Sequence, residues 1–225
     1  MEKKMNKFIK ILLISSVTCS LFSGPNEDLF RAARTGNSAG VEAAIAAGAD
    51  INAVDTDNNT ALMIALARSY ADIARLLLDR GSDVFHKNKC GETVLNRAAS
   101  SGFIDIVQFI LDRGANVNQA TCFGYTPLMG AVVRNHADIV RLLLDRGADI
   151  NYANNYEGTA LTLAREWGNN EIVKMLEKYI AGEIIGDLSV HKSESKPMEI
   201  KLRKQIQKLE PITQIGKISL HLHND

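Results

Sequence analysis

The chain repeats itself every 33 residues, and that period limits what it can fold into more than anything else in its 225 residues. Thr60, Thr93, Thr126 and Thr159 are spaced at 33, and so are Gly48, Gly81, Gly114 and Gly147. Between the two sets lie YADIARLLL, FIDIVQFIL and HADIVRLLL, in the same phase. A self-similar period of roughly 20–50 residues marks a stacked-repeat architecture.

Each unit can be read physically. Thr is a good helix N-cap, because its hydroxyl reaches forward to backbone N–H groups that have no partner within the helix. Gly91 and Gly124, two residues earlier, suit a turn with positive φ. A first helix then runs to a break at Gly36, Ser69, Gly102, Asn135 or Gly168. A second carries Ile73, Leu76 and Leu77, or Ile106, Phe109 and Ile110, or Ile139, Leu142 and Leu143, spaced i, i+3, i+4 as one apolar stripe. It ends at the repeated Gly, a favoured residue just past a helix. Asp72, Asp105, Asp138 and Glu171 recur as helix-start acids, a structural role.

The phase divides the chain into a leader at 1–24, repeats at about 26–54, 55–87, 88–120, 121–153 and 154–180, and a tail at 181–225. The outer units depart as terminal caps should. The first opens on Asn26, expected as an N-cap, with Glu27 and Asp28 in the first turn. The fifth has Glu177 and Lys178 and no Gly-Ala-Asp exit. Two helices this short cannot close a core alone, so the stripes must be buried against neighbouring units.

These segments resemble the ankyrin family, whose unit contains a T-P-L-H-x-A-A segment, a G-H turn, a V-V-x-L-L-L helix and a G-A-D-V-N exit. Thr126-Pro127-Leu128, Leu142-Leu143-Leu144 and Gly147-Ala148-Asp149-Ile150-Asn151 carry the match. The resemblance covers about 155 of 225 residues. It implies an all-α ankyrin-repeat solenoid of stacked helix-turn-helix units with short β-turn fingers, and a protein-binding scaffold. The family His is replaced by Met63, Asn96, Met129 and Thr162, which puts its polar link in doubt. Arg97 stands at a usually apolar position, its stem packing while its head reaches water. Gly130, at the same place in the next unit, loosens its helix by about 0.5–1 kcal/mol.

Residues 1–24 combine Lys3, Lys4, Lys7 and Lys10 with a mostly apolar stretch, Ile11 to Phe22, and a small-residue zone at Cys19–Gly24. That order is the pattern of a secretory signal peptide, or of an uncleaved N-terminal anchor. Export to a periplasmic or secreted location is therefore expected, with membrane contact only through residues 1–24. The 26 basic and 26 acidic residues balance, but the repeat body holds 15 basic against 19 acidic. An acidic body does not displace counterions from phosphates, so nucleic acid is not an expected partner. Cys90 and Cys122 lie one repeat apart. Equivalent points of stacked repeats are expected to exceed the roughly 7 Å Cα separation a disulfide tolerates, so no bridge is expected.

No catalytic constellation is recognisable: no phosphate loop, dinucleotide fingerprint or nucleophile elbow. His221 and His223 would share one strand face, but third and fourth ligands are missing, so no metal and no cofactor is expected. The resemblance implies that turn tips and helix-one faces of a concave surface bind another protein. The varying positions there include Thr56, Asp57, Arg68, Lys89, Glu92, Phe123, Tyr125, Arg134, Tyr156 and Trp167, with Tyr152 nearby. Aromatics beside Arg are the composition of binding hot spots, which points to Phe123, Tyr125, Arg134, Tyr156 and Trp167, with Arg68 and Lys89 further along. A competing reading packs Tyr156 and Trp167 beneath the tail. The tail alternates apolar and charged residues at Met198–Leu202 and Ile218–Leu222, as a small hairpin would, with a disordered tail as the other reading. The functional expectation is a non-catalytic, exported protein-binding scaffold, with an accessory or stabilising subunit of an exported enzyme as the alternative. Stacking through the second-helix stripe predicts that Leu143→Ala costs roughly 2–5 kcal/mol. An unmoved urea midpoint would contradict the assigned phase.

Overall fold

The computed structural model describes residues 24–182, so the leader before Gly24 and the tail after Gly182, with its hairpin or disordered reading, lie outside the described residues. Ten helices fall there in five pairs: α1 Pro25–Thr35, α2 Ser38–Ala46, α3 Ala61–Ala67, α4 Ala71–Asp79, α5 Val94–Ser101, α6 Ile104–Asp112, α7 Pro127–Val133, α8 Ala137–Asp145, α9 Ala160–Glu166 and α10 Asn170–Ile180.

Local chemistry sets the starts of the inner first helices and the breaks that follow them. Thr60, Thr93, Thr126 and Thr159 each accept a hydrogen bond from the backbone N–H three residues on, at 3.1–3.3 Å. These caps open α3, α5, α7 and α9. The break after each first helix is left-handed in all five pairs: Gly36, Gly102 and Gly168, and also Ser69 at φ 61° and Asn135 at φ 60°. The second helices present one buried row, such as Ile139, Val140 and Leu143 on α8.

The first pair starts differently from the sequence expectation. α1 is capped by Gly24 with Pro25 in its first turn, and Pro is pre-set for that place because it has no N–H to satisfy. Asn26 is therefore inside the helix. Its side chain accepts instead from the Asp50 N–H at 2.8 Å. The same amide-to-backbone latch recurs between units, from the Asp83 N–H to Asn52 and from the Asp149 N–H to Asn118, both 2.8 Å. Phe85 occupies the equivalent place in the next unit and has no amide to offer.

First helices stack on first helices, α1 on α3, α3 on α5, α5 on α7 and α7 on α9. Second helices form a parallel layer in which α2 meets α4, α6 meets α8 and α8 meets α10. The core runs between the layers. Leu62, Met63, Leu66, Leu95, Leu128 and Met129 from the first helices are fully buried with Ile73, Leu77, Ile106 and Ile110 from the second. Met63 and Met129, at the expected His position, are thus plain core residues. On the outer surface Arg75 bonds Asp105 at 2.7 Å and Arg146 bonds Asp112 at 2.8 Å, both between units. Such half-exposed pairs contribute about 0–1 kcal/mol each and fix register more than stability. At the far end the Tyr179 hydroxyl donates to Asp145. Desolvation, then the Asp145 carboxylate, pushes the Tyr179 hydroxyl up to about 12.

Gly130 has a packing reason beyond helix flexibility. A Cβ there would sit 2.4 Å from the Ser100 Oγ, so the missing side chain lets α7 lie close on α5. Gly124 is more constrained. Its φ is +79°, and a Cβ would meet the Asn154 Cα and the Asn155 N at 2.9 Å. Gly147, at φ +84°, has open space around it. Gly147→Ala is therefore expected to cost about 1 kcal/mol, while Gly124→Ala adds a backbone clash and should reach roughly 2–4 kcal/mol. Equal shifts in the denaturation midpoints of the two variants would show that the inter-turn approach at Gly124 is not tight.

Candidate functional site

The turns between pairs are built by one side chain each. Asp55, Asn88, Thr121 and Asn154 stand at 33-residue spacing at the base of successive turns. The Asp55 carboxylate accepts from the N–H groups of Asp57 and Asn59 at 2.9 Å. Asn88 accepts from Cys90 and Glu92 at 3.0 Å, Thr121 from Tyr125 at 3.1 Å, and Asn154 from Tyr156 and Gly158 at 2.9 Å. Short polar side chains that close their own backbone in this way are typical turn formers.

Successive turns are then stitched tip to tip through the main chain. The Lys89 N–H donates to the Asp57 carbonyl at 3.1 Å, Cys122 to Cys90 at 2.7 Å, and Asn155 to Phe123 at 3.1 Å. The Asn155 side-chain amide adds a bond to the Cys122 carbonyl at 3.0 Å. The partners are 32 residues apart, not 33, because the donor of one tip lies one place before the residue equivalent to the acceptor. This overturns the expected separation of Cys90 and Cys122. Both are free and exposed, and their backbones are hydrogen-bonded to each other.

On the helix-one face the tips border a groove of about 590 Å³. Asn96, Arg97, Ser100, Tyr125, Arg134 and His136 are among its lining residues. The Arg97 side chain is only 28% exposed, and its guanidinium bonds the Glu92 carboxylate at 2.8 Å. Its head is held at the groove by the carboxylate of Glu92, five residues back in the turn that precedes α5. The Arg97 Nε is buried without a hydrogen-bond partner. His136 sits behind it with its Nε2 3.3 Å from the Ser100 carbonyl, and Asn169, one repeat on, donates to the Val132 carbonyl at 2.7 Å.

Asn96 answers the doubt about the polar link. Its side chain accepts from the Thr93 N–H at 2.9 Å and from the Thr93 hydroxyl at 2.7 Å. Its amide also faces the carbonyls of Gln119 and Tyr125, each at 3.3 Å, in the following turn. A buried amide with partners on both sides ties two units together.

Of the sequence-derived partner residues, the structure brings Tyr125 and Arg134 together in the groove. Phe123 and Tyr156 occupy equivalent tip positions and are 51% and 69% exposed. Trp167, 61% exposed, takes in its unit the helix-one end that Arg68 and Arg134 take in theirs. Arg68 and Lys89 are exposed but are not among the groove's lining residues. Arg97, Ser100 and His136 line the groove as well, and the one sequence signal for them is the polar Arg97 at a usually apolar helix position.

Residues 29–121 and 114–184 match the family model described as ankyrin repeats (3 copies). No curated protein matches the chain. The double-sided bonding of Asn96 predicts that Asn96→Ala costs about 1–3 kcal/mol, since two carbonyls and the Thr93 N–H lose a partner. Thermal denaturation followed by circular dichroism reads this directly, and an unchanged Tm would mean the bonds contribute nothing net.

Proposed function

Because the chain belongs to the ankyrin-repeat family, we propose that it is a non-catalytic scaffold that binds another protein through the turn tips and helix-one ends of its later units. Ankyrin repeats are in general protein-interaction scaffolds. The observation that carries the proposal is the placement of three large apolar side chains in water. Phe123, Tyr156 and Trp167 are all more than half exposed, in adjacent units, with Arg134 at the helix-one end equivalent to Trp167. A folded chain gains nothing by exposing such groups, whereas an interface uses aromatic and Arg side chains as anchors. Tyr125 and Arg134 supply a polar-edged groove beside the tips, and Arg68 and Lys89 extend the surface with positive charge.

Residues 1–24 support export of this scaffold to a periplasmic or secreted location, since a basic start, a short apolar run and a small-residue zone occur there in that order. The partner is a protein, not nucleic acid, because the body carries more acidic than basic side chains.

Affinity purification of the tagged full chain, compared with the double variant Tyr156→Ala, Trp167→Ala and with Arg134→Ala, tests the surface. The expected result is loss of the co-purifying protein by tenfold or more, with helical circular dichroism and Tm unchanged. Recovery of the same protein at the same level by the folded double variant would move the interface elsewhere. A double variant that unfolds would instead support packing of these side chains against the tail. A stoichiometric enzyme in the eluate would identify the scaffold as that enzyme's accessory subunit.

A further inference from the structure

We propose that Cys90 and Cys122 are a thiol–disulfide pair whose oxidation staples the turn tips of two neighbouring units. The proposal stands on the tip-to-tip stitching and is independent of which partner the scaffold binds. The Cys122 N–H donates to the Cys90 carbonyl at 2.7 Å. A direct main-chain bond of this kind puts two Cα atoms roughly 5–6 Å apart, as between paired strands, within the range a disulfide spans. The side chains meet as well. Partial desolvation, then the charge of the neighbouring Cys90, raises the Cys122 thiol above its ordinary range. Both thiols are exposed, so an oxidant reaches them without unfolding.

The turns are already fixed without the bond. The Cys90 N–H is held by Asn88 at 3.0 Å, and the Cys122 carbonyl by the Asn155 amide at 3.0 Å. With the two backbones already hydrogen-bonded to each other, closure needs rotation of exposed side chains and no refolding of the turns. At the other stitched tips the same positions hold Asp57 with Lys89, and Phe123 with Asn155. Among the described residues, this tip alone holds two cysteines.

The oxidant is a disulfide, either a small one such as oxidised glutathione or that of an oxidoreductase. A thiolate of one cysteine attacks its S–S bond, one thiolate leaves, and a mixed disulfide forms. The second cysteine, deprotonated, attacks the protein sulfur of that mixed disulfide and expels the other half. Two protein thiols give up two protons and two electrons, and one disulfide is reduced to two thiols. Thiolates are the reacting species, so closure quickens as pH rises through the thiol range.

The test uses the full chain equilibrated in reduced and oxidised glutathione, alkylated, and digested with trypsin without reduction. The expected product joins the peptide Cys90–Arg97 to the peptide Gly114–Arg134 and disappears on reduction. Closing a loop of this length should raise the Tm of the oxidised chain by about 5–10 °C over the reduced one. Cys122→Ser and Cys90→Ser, each checked for folding by circular dichroism, should melt at one temperature in both buffers. Separate glutathione adducts on the two cysteines, free thiols in the oxidised buffer, or linkage of either to Cys19 would overturn the pairing. A linked pair with an unmoved Tm would overturn the staple.

Discussion

Two helices of seven to nine residues cannot hide each other's apolar stripes, and everything else in the repeat body follows from that shortage. Each internal pair depends on the next for its core. Leu62, Leu95 and Leu128 stand at one position in successive units and are all buried, because each first helix is sealed by its neighbours in the row. Stability in such an array is a sum of nearest-neighbour terms, and the polar bonds between units matter because they set how closely neighbours can approach. Asn96 between two turns and Gly130 beneath Ser100 are two solutions to that one problem, one adding a bond and the other removing an atom.

Where periodicity and local chemistry agree, the sequence was readable to the residue. Thr caps, left-handed breaks and apolar stripes need only the chain within a few residues of themselves. Ser69 and Asn135 take the left-handed conformation that glycines take at equivalent places, so the packing of the two helices offsets the roughly 1 kcal/mol that a Cβ costs there. The start of α1 was misplaced for an equally local reason. Pro25 outranks Asn26 as a starting signal, and Asn26 finds its partner 24 residues away, at Asp50, where local rules do not reach.

The site was half legible. Exposed aromatics at tips and helix ends follow from register alone, and Phe123, Tyr156 and Trp167 are in water as that register requires. The groove was not legible, since it is made by what lies between units. Asn96 reaches the Tyr125 carbonyl of the following unit, and His136 faces the Ser100 carbonyl of the preceding one. Residues that vary between repeats mark the surface, but the distances between them come only from stacking. The expected gap between Cys90 and Cys122 failed because it assumed that every part of the unit is spaced as the helices are.

The offset of the stitched tips means that the chain carries two frames at once. Equivalent residues recur at 33, yet the tips touch at 32. A substitution at a tip thus alters the surroundings of a residue in a different column of the repeat. Aligned repeat by repeat, the tip columns would look unconstrained. Read diagonally, one place back in each successive unit, they show which residues are neighbours across the tips.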